Sequence, residues 1–293
     1  MKDRVNFADI VIHAILILFA LSIVLTFWYE FVISVSPGYI ATKGDLVLFP
    51  SDPTLDNYKK VVTSKFIWQG YANTIFRTVV GTVLSLFVTA LVGYALSKKY
   101  FPHRSFWTLI ITFTMFFSGG LIPTYLVVRD LGLIDSYLVM ILPGLVSAYN
   151  MIIMRNYFMS LPEEVEESAM IDGAGRFRIF FSIILPLSKP ILATVALWLA
   201  VGHWNAWFDV LIYITDETKF TLQIVLRRII LTGTQQMLDA MNSSEQLMDQ
   251  FASTSSDGLK AAAIFVATLP ILCVYPFIQR FFVKGIMIGS LKG

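Results

Sequence analysis

Glu163, Glu164, Glu166, Glu167, Asp172, Arg176 and Arg178 crowd into LPEEVEESAMIDGAGRFRIFFSIILPLSKP, residues 161–190, although only 14% of the chain is charged and 56% is hydrophobic. Glu163, Glu166, Glu167 and Met170 recur at spacings of three and four, so they share one face of a helix. Carboxylates on a helix do acid–base or metal chemistry only with partners, and none converge on these. His13, His103 and His203 are far apart without ligand spacing, Cys273 stands alone in an apolar run, and no nucleophile with a base is visible. The sequence therefore offers no catalytic set and no metal set. What remains is a recognition surface, acidity beside one exposed apolar side chain.

That surface has its own start and stop. Ser160, Pro162 and Glu163 read as S-x-x-E with a proline in the first turn, and Gly173 with Gly175 supplies the stop. The spacing predicts a helix of about three turns, too short to be stable alone in water. Arg176, Arg178, Phe177, Phe180 and Phe181 follow and predict a second short helix against the membrane face, with Pro186 and Pro190 framing the next apolar run. A solvated linker is the plain alternative. The fixed stop, aromatic anchor and proline restart favour a docking element.

The elements that position this stretch are membrane spans. Mean hydropathy is +0.71 over 293 residues, and the apolar residues come in blocks of bilayer length. Six runs qualify: Asp9 to Val35, Thr74 to Ser97, Phe106 to Val128, Ser136 to Met154, Leu187 to Ala206 and Ala261 to Val283. The first is too long for a signal-peptide core and has no cleavage site. Phe220 to Thr232 is excluded, because Arg227 and Arg228 would lie adjacent at mid-membrane; it is predicted as an amphipathic helix outside the lipid. The fold class is thus an all-α integral membrane protein. A net charge of +2 gives no ground for a nucleic-acid partner, and Cys273 is read as a packing residue.

Lys98, Lys99 and Arg104 follow the second span while only Arg129 follows the third, which places the former linker, and with it residues 161–190, in the cytoplasm. Both termini are then cytoplasmic, in agreement with Lys2, Arg4, Arg280, Lys284 and Lys292, and the long connections Ser36 to Asn73 and Trp207 to Lys260 face outward. Trp28, Tyr29, Trp68, Trp107 and Trp207 fall near span ends, where amphipathic rings favour the interface. Gly81, Ser85, Thr89 and Gly93 recur every four residues on the second span, a stripe for close helix packing rather than a substrate path.

Glu167, Ser168 and Ala169, then Gly173, then Ile183, Ile184, Leu185 and Pro186 resemble the EAA motif, E-A-A-x3-G-x9-I-x-L-P, of permease subunits of bacterial ABC importers; Ser168 stands where the family has alanine. WNAWFDVLIYI with KFTLQIVLRRI, the segment FFSGGLIPTYLVVRDLGLIDS and the ending VKGIMIGSLKG are similar to the smaller permeases of carbohydrate importers of the maltose type. The resemblance implies a type I ABC importer permease fold in a bacterial inner membrane. It implies one transmembrane domain over 1–293, with its core at about 74–283 and an added N-terminal helix at about 9–35. Glu163, Glu166, Glu167, Ser168, Ala169, Asp172, Gly173 and Pro186 would form the coupling helix and its connection, between spans 4 and 5, and Gly285, Gly289, Lys292 and Gly293 would touch the ATPase from the C-terminal tail. A frayed basic tail is the alternative for the last four.

The implied partners are a second homologous permease, two cytoplasmic ATPase subunits that hold ATP and Mg, an extracytoplasmic solute-binding protein, and a sugar or oligosaccharide. The chain itself is not an enzyme and holds no cofactor: it has no G-x-x-x-x-G-K-[ST] phosphate loop. Its spans lack a central carboxylate array, with Glu30 and Asp209 near span ends, which disfavours an ion-coupled secondary transporter; an ABC importer of a non-sugar substrate is the other alternative. Sugar sites combine aromatic faces with amides and hydroxyls, which nominates Asn73, Tyr125, Asn150, Trp204, Asn205 and Trp207. Interface anchoring for the aromatics and a helix-to-helix bond for Asn150 are the plainer readings.

Overall fold

A computed structural model describes residues 7–37, 48–50, 52–231 and 257–273, and among these the secondary structure is helical, with no strand. Two compact units divide the chain: Met1–Trp68 with Val225–Pro270, and Gln69–Ile224 with Ile271–Gly293.

In the first unit, α1 (Phe7–Ser34) is an unbroken apolar helix whose only buried residues are Val32, Ile33 and Ser34 in its last turn. From Phe7 to Phe27 its side chains are exposed, as lipid-facing positions are. The last turn is tied down. Asn57, on α2 (Asp56–Thr63), donates its amide to the Ser34 and Ser36 carbonyls at 3.1 and 3.2 Å, and the Ser34 hydroxyl meets the Tyr58 phenol at 2.8 Å. Phe31 packs edge-on against Phe265, in the helical run 257–273. Leu269 in that run is exposed, as are Leu272 and Cys273 at its end, which belong to the other unit. This corrects the reading of Cys273 as a packing residue: an apolar face that looks outward takes a small thiol as readily as a core does.

The second unit is built on α3 (Lys65–Ser97), whose first residues belong to the other unit. Its small-residue stripe is a packing surface, as expected. A Cβ on Gly81 would lie 2.7 Å from the His203 ring, and one on Gly93 would lie 3.3 Å from the Arg155 nitrogen. The core gathers Ala90 and Tyr94 of α3, Met154 and Phe158, and Ile179, Phe180, Ile184, Val195 and Leu199.

Two expected spans are bent within their length, and a third is entered through a bend. Residues 106–128 form α4 (Arg104–Phe116) and α5 (Leu121–Asp130), which meet at 117°. Ser118, Gly119 and Gly120 break the run: Gly120 has φ +86°, a conformation costly for any residue with a Cβ, and Pro123 restarts the helix. Before α6 (Ala148–Met159) stand two 3₁₀ turns, Tyr137–Met140 and Leu142–Gly144, bent by 53° from it where Pro143 and Gly144 interrupt the helical pattern. A helical rod over 176–187 meets α9 (Lys189–Asn205) at 82°. Among the described residues two helices are long and apolar enough to cross a bilayer alone, and up to five spans result if each bent pair is counted as one; the last expected run, Ala261 to Val283, extends beyond the described residues. Residues 222–231 form the helix expected there, with Arg227 and Arg228 exposed.

Candidate functional site

Residues 161–190 build a helix, a stop and a rod. The helix α7 (Glu163–Ile171) starts one residue after Pro162, and no side chain caps it. Ser160 does not form the expected capping box: it closes α6 instead, and its hydroxyl donates back to the Tyr157 carbonyl at 2.7 Å. The stop is as expected. Gly173 has φ +81°, its N–H donates to the Met170 carbonyl at 3.0 Å, and the Ala174 N–H donates to the Ala169 carbonyl at 2.9 Å. These two bonds are a Schellman closure, which needs a left-handed residue where Gly173 stands. Ala169 and Ala174 both pack on the core cluster, so the closure also seats α7 on the body of the unit.

The chain then enters α8 (Arg176–Ile179) and a π-helical turn, Phe180–Ile184, before Leu185–Leu187. Pro186 lacks the N–H that the Ser182 carbonyl would accept, and the wider turn absorbs that vacancy. Phe180 is buried, Phe181 stacks on Phe87 at 6.2 Å, and the Arg176 guanidinium lies 4.4 Å from the Tyr100 ring centroid. Phe177, expected against the membrane face with them, is 76% exposed.

The four glutamates of α7 do not behave alike. Glu163, Glu164 and Glu167 are exposed, as are Ser168, Asp172 and Pro186. Glu163 pairs with Lys99 at 2.7 Å, and the hydrogen bond from that ammonium, aided by its charge, holds the carboxyl below the usual range. Glu166 is buried, which corrects its expected place on the acidic face beside Glu163 and Glu167. Its carboxylate accepts hydrogen bonds from the Lys98 ammonium and, at 3.2 Å, from the Tyr94 hydroxyl. The outward surface of this region is instead partly apolar: Ile171 is 86% exposed, with Met170, Val165 and Phe177 beside it in sequence. Two arginines complete the setting by closing the C-terminal end of α3, where carbonyls lack helical partners. Arg155 donates to the Leu96 carbonyl at 3.0 Å and Arg104 to that of Ser97 at 3.5 Å.

The residues nominated for sugar fall elsewhere in this unit. Asn73 donates both amide protons to the Thr218 and Phe220 carbonyls, at 2.8 and 2.9 Å, and accepts from Tyr137, so its side chain braces the fold. Tyr125 stacks on Tyr213 at 5.9 Å, and Asn150 is buried on α6. Asn205 is exposed but donates to the Val201 carbonyl, and Trp207 meets Phe208 edge-on. Trp204 differs from these: its indole N–H is buried with no partner among the described residues. Next to it the structure shows an ion pair that sequence reading missed. Arg77, 4% exposed, forms a two-pronged pair with Asp209 of α10 (Phe208–Tyr213), one prong at 3.1 Å, and reaches the Ala206 carbonyl at 3.5 Å. An arginine inside an apolar run was the available signal, since such a charge is costly unless paired. Gly285, Gly289, Lys292 and Gly293 lie outside the described residues.

Residues 66–288 match the family model described as binding-protein-dependent transport system inner membrane component. The chain belongs to that family. This permease is 43% identical to the protein LplC of Bacillus subtilis (strain 168) over 261 residues, 87% of this chain and 86% of that one. It is 39% identical over 295 residues to the polygalacturonan/rhamnogalacturonan transport system permease protein YtcP of the same organism, with both chains covered completely. Among solved structures it matches a chain from the crystal structure of a bacterial ABC transporter involved in the import of the acidic polysaccharide alginate. The TM-score there is 0.85 at 35% identity, covering 96% of this permease and 99% of that chain. The all-helical type I permease fold is therefore established for this permease, and its relatives are transport subunits rather than enzymes.

Proposed function

We propose that this permease is one half of the translocation pathway of an ATP-driven oligosaccharide importer and takes its drive through α7. The observation that carries the reading is the construction of residues 161–190. A short helix is closed by a Schellman stop and seated on the core, and it presents Ile171, Met170 and Glu167 outward before a rod that leads into α9. A helix of that length is marginal alone, so its fixed setting in an otherwise exposed position suits a partner that grips it. ATP and Mg belong to two partner ATPases, a second homologous permease completes the pathway, and a solute-binding protein delivers the sugar from outside. The chain acts as one transmembrane domain with six spans, both termini in the cytoplasm, and its C-terminal tail reaches the ATPases.

For the substrate, the names of the relatives point to sugars of the polygalacturonan, rhamnogalacturonan and alginate kind, an acidic polysaccharide among them. Trp204 is the foremost candidate contact, because its buried indole N–H has no partner among the described residues and so has a hydrogen bond left to give. Asn205, Trp207, Tyr125 and Asn150 remain candidates for support, and Asn73 drops out because its amide is consumed by the fold. The test is to purify the permease with its co-expressed partners and measure ATP hydrolysis with the binding protein and a panel of neutral and acidic oligosaccharides. Stimulation by a subset of the panel is expected. Stimulation by a peptide or a metal ion in place of every sugar would overturn the substrate class, and none by any solute together with uptake driven by an ion gradient would overturn the importer reading.

A further inference from the structure

Glu166 does the opposite of what a docking face needs, since it turns inward. The Lys98 and Glu166 side chains are 15% and 8% exposed, and the pair is closed by a third group, the Tyr94 hydroxyl, bonded to the other carboxylate oxygen at 3.2 Å. Lys98 also lies 4.6 Å from the centroid of the Tyr94 ring, so the cation, the ring and the carboxylate form one cluster. Tyr94 in turn is held in the core between Phe158 and Phe180, at 6.0 and 5.0 Å between ring centroids. The neighbouring pair, Lys99 with Glu163, has side chains 77% and 66% exposed. Water and salt screen such a pair, and it holds little. A buried pair with a hydrogen-bonded third member is costly to open.

We propose that Glu166 is a positioning residue for coupling: through Lys98 and Tyr94 it fastens α7 to the end of α3, so that movement of α7 is delivered to α3 directly. The inference rests on the reading of α7 as the element the ATPases grip. On this arrangement α7 drives two levers. The rod over 176–187 carries motion into α9 across the 82° bend, and the Glu166 tether carries it into α3 without passing through that bend. Two attachments make the displaced body stiffer than one, because the rod contains a π-helical turn and Pro186, both places where helices yield. The tether thus accounts for a carboxylate buried next to the most acidic turn of the chain.

The test reads the movement of α3 without needing the sugar. In a Cys273→Ser background, Ala72→Cys places an environment-sensitive fluorophore near the outer end of α3, at an exposed position. The complex with its partner permease and ATPases is reconstituted in liposomes and trapped with ATP and vanadate. A trapping-dependent fluorescence change is expected with the native tether, reduced about fivefold by Glu166→Gln and by Lys98→Met while ADP trapping persists. The exchanged pair, Lys98→Glu with Glu166→Lys, should restore most of the signal. An unchanged signal in both single variants overturns the tether, and so does a complex that simply fails to assemble whenever the pair is broken, since that outcome makes the pair structural alone. Gly173→Trp separates this inference from the reading beneath it: a signal that survives Gly173→Trp sinks the docking role of α7, whereas a signal lost there but kept in the Glu166 variants sinks only the tether.

Discussion

Gly173 is where backbone geometry and function meet. Its φ of +81° is required by the closure of α7, and a Cβ there would meet nothing within 4 Å. Gly173→Ala therefore carries only the backbone cost, about 1 kcal/mol, and is expected to lower the Tm slightly while transport continues. Gly173→Trp carries the same strain plus a bulky ring aimed into space that this chain leaves open. It should leave membrane insertion intact, remove sugar uptake, and loosen the ATPases in co-purification; normal uptake by the tryptophan variant would show that no partner fills that space. Asp135 makes a second argument at this scale. At φ +59° it accepts the Asp216 and Thr215 N–H groups at 3.0 and 3.1 Å. Those backbone donors, with Lys219, hold its carboxyl below the usual range, and Asp216 is lowered likewise, first by the Thr218 hydroxyl. Because both folded values lie below the unfolded ones, the stabilisation is complete above about pH 4 and is lost as pH falls through the folded values. Hydrogen-exchange protection at the Thr215 and Asp216 amides, corrected for intrinsic rates, should stay level from neutral pH down to that point and then fall. Protection that declines already near pH 6 would assign the loop to another titrating group.

Between elements, the junction of α9 and α10 depends on a side chain from α3. The break at Ala206 and Trp207 leaves carbonyls without helical partners, and Arg77 supplies a donor to one of them while its pair with Asp209 fixes the first turn of α10. Removing one partner of a buried ion pair leaves the other charge unpaired, so Arg77→Met is expected to destabilise the permease by about 3 kcal/mol. Adding Asp209→Asn should recover part of that loss, because the stranded charge goes with it, and a double-mutant cycle on thermal unfolding in detergent measures the difference. Additive losses would mean that the two residues act separately. This pair also marks the limit of what the sequence made legible. The Schellman stop at Gly173, the proline at Pro186 and the helix with exposed Arg227 and Arg228 follow from local chemistry and were readable. Arg77 and Asp209 are joined across 132 residues, and the inward turn of Glu166 depends on Lys98, 68 residues away. Neither partnership leaves a local trace. The bend at residues 117–120 lies between: Ser118, Gly119 and Gly120 are types that interrupt helices, but they stand inside an apolar run of bilayer length, so the pattern alone does not separate a straight span from one bent by 117°.

At the largest scale, within the second unit, α3 orders its surroundings by its two ends. From Asn73 to Ser97 it spans about 36 Å, slightly more than the hydrocarbon core of a bilayer. Near its start lie Asp209, Asp135, Asp216 and the braced segment 213–222, through Arg77, Asn73 and Thr74. At its finish lie Lys98, Lys99, Arg104, Arg155 and Arg176 with α7. Basic residues collect at the cytoplasmic ends of spans because they are retained on that side, so the basic finish of α3, with α7, is the end we propose faces the cytoplasm. The consequence is measurable in cells. With Cys273→Ser as background, Thr215→Cys and Ile171→Cys each present one exposed thiol, at opposite ends of α3. A membrane-impermeant maleimide should label Thr215→Cys in spheroplasts and leave Ile171→Cys untouched, and inverted membrane vesicles should show the reverse. Labelling of both from one side would remove the membrane from between the two ends, and with it the proposed route by which a pull on α7 reaches the far end of α3.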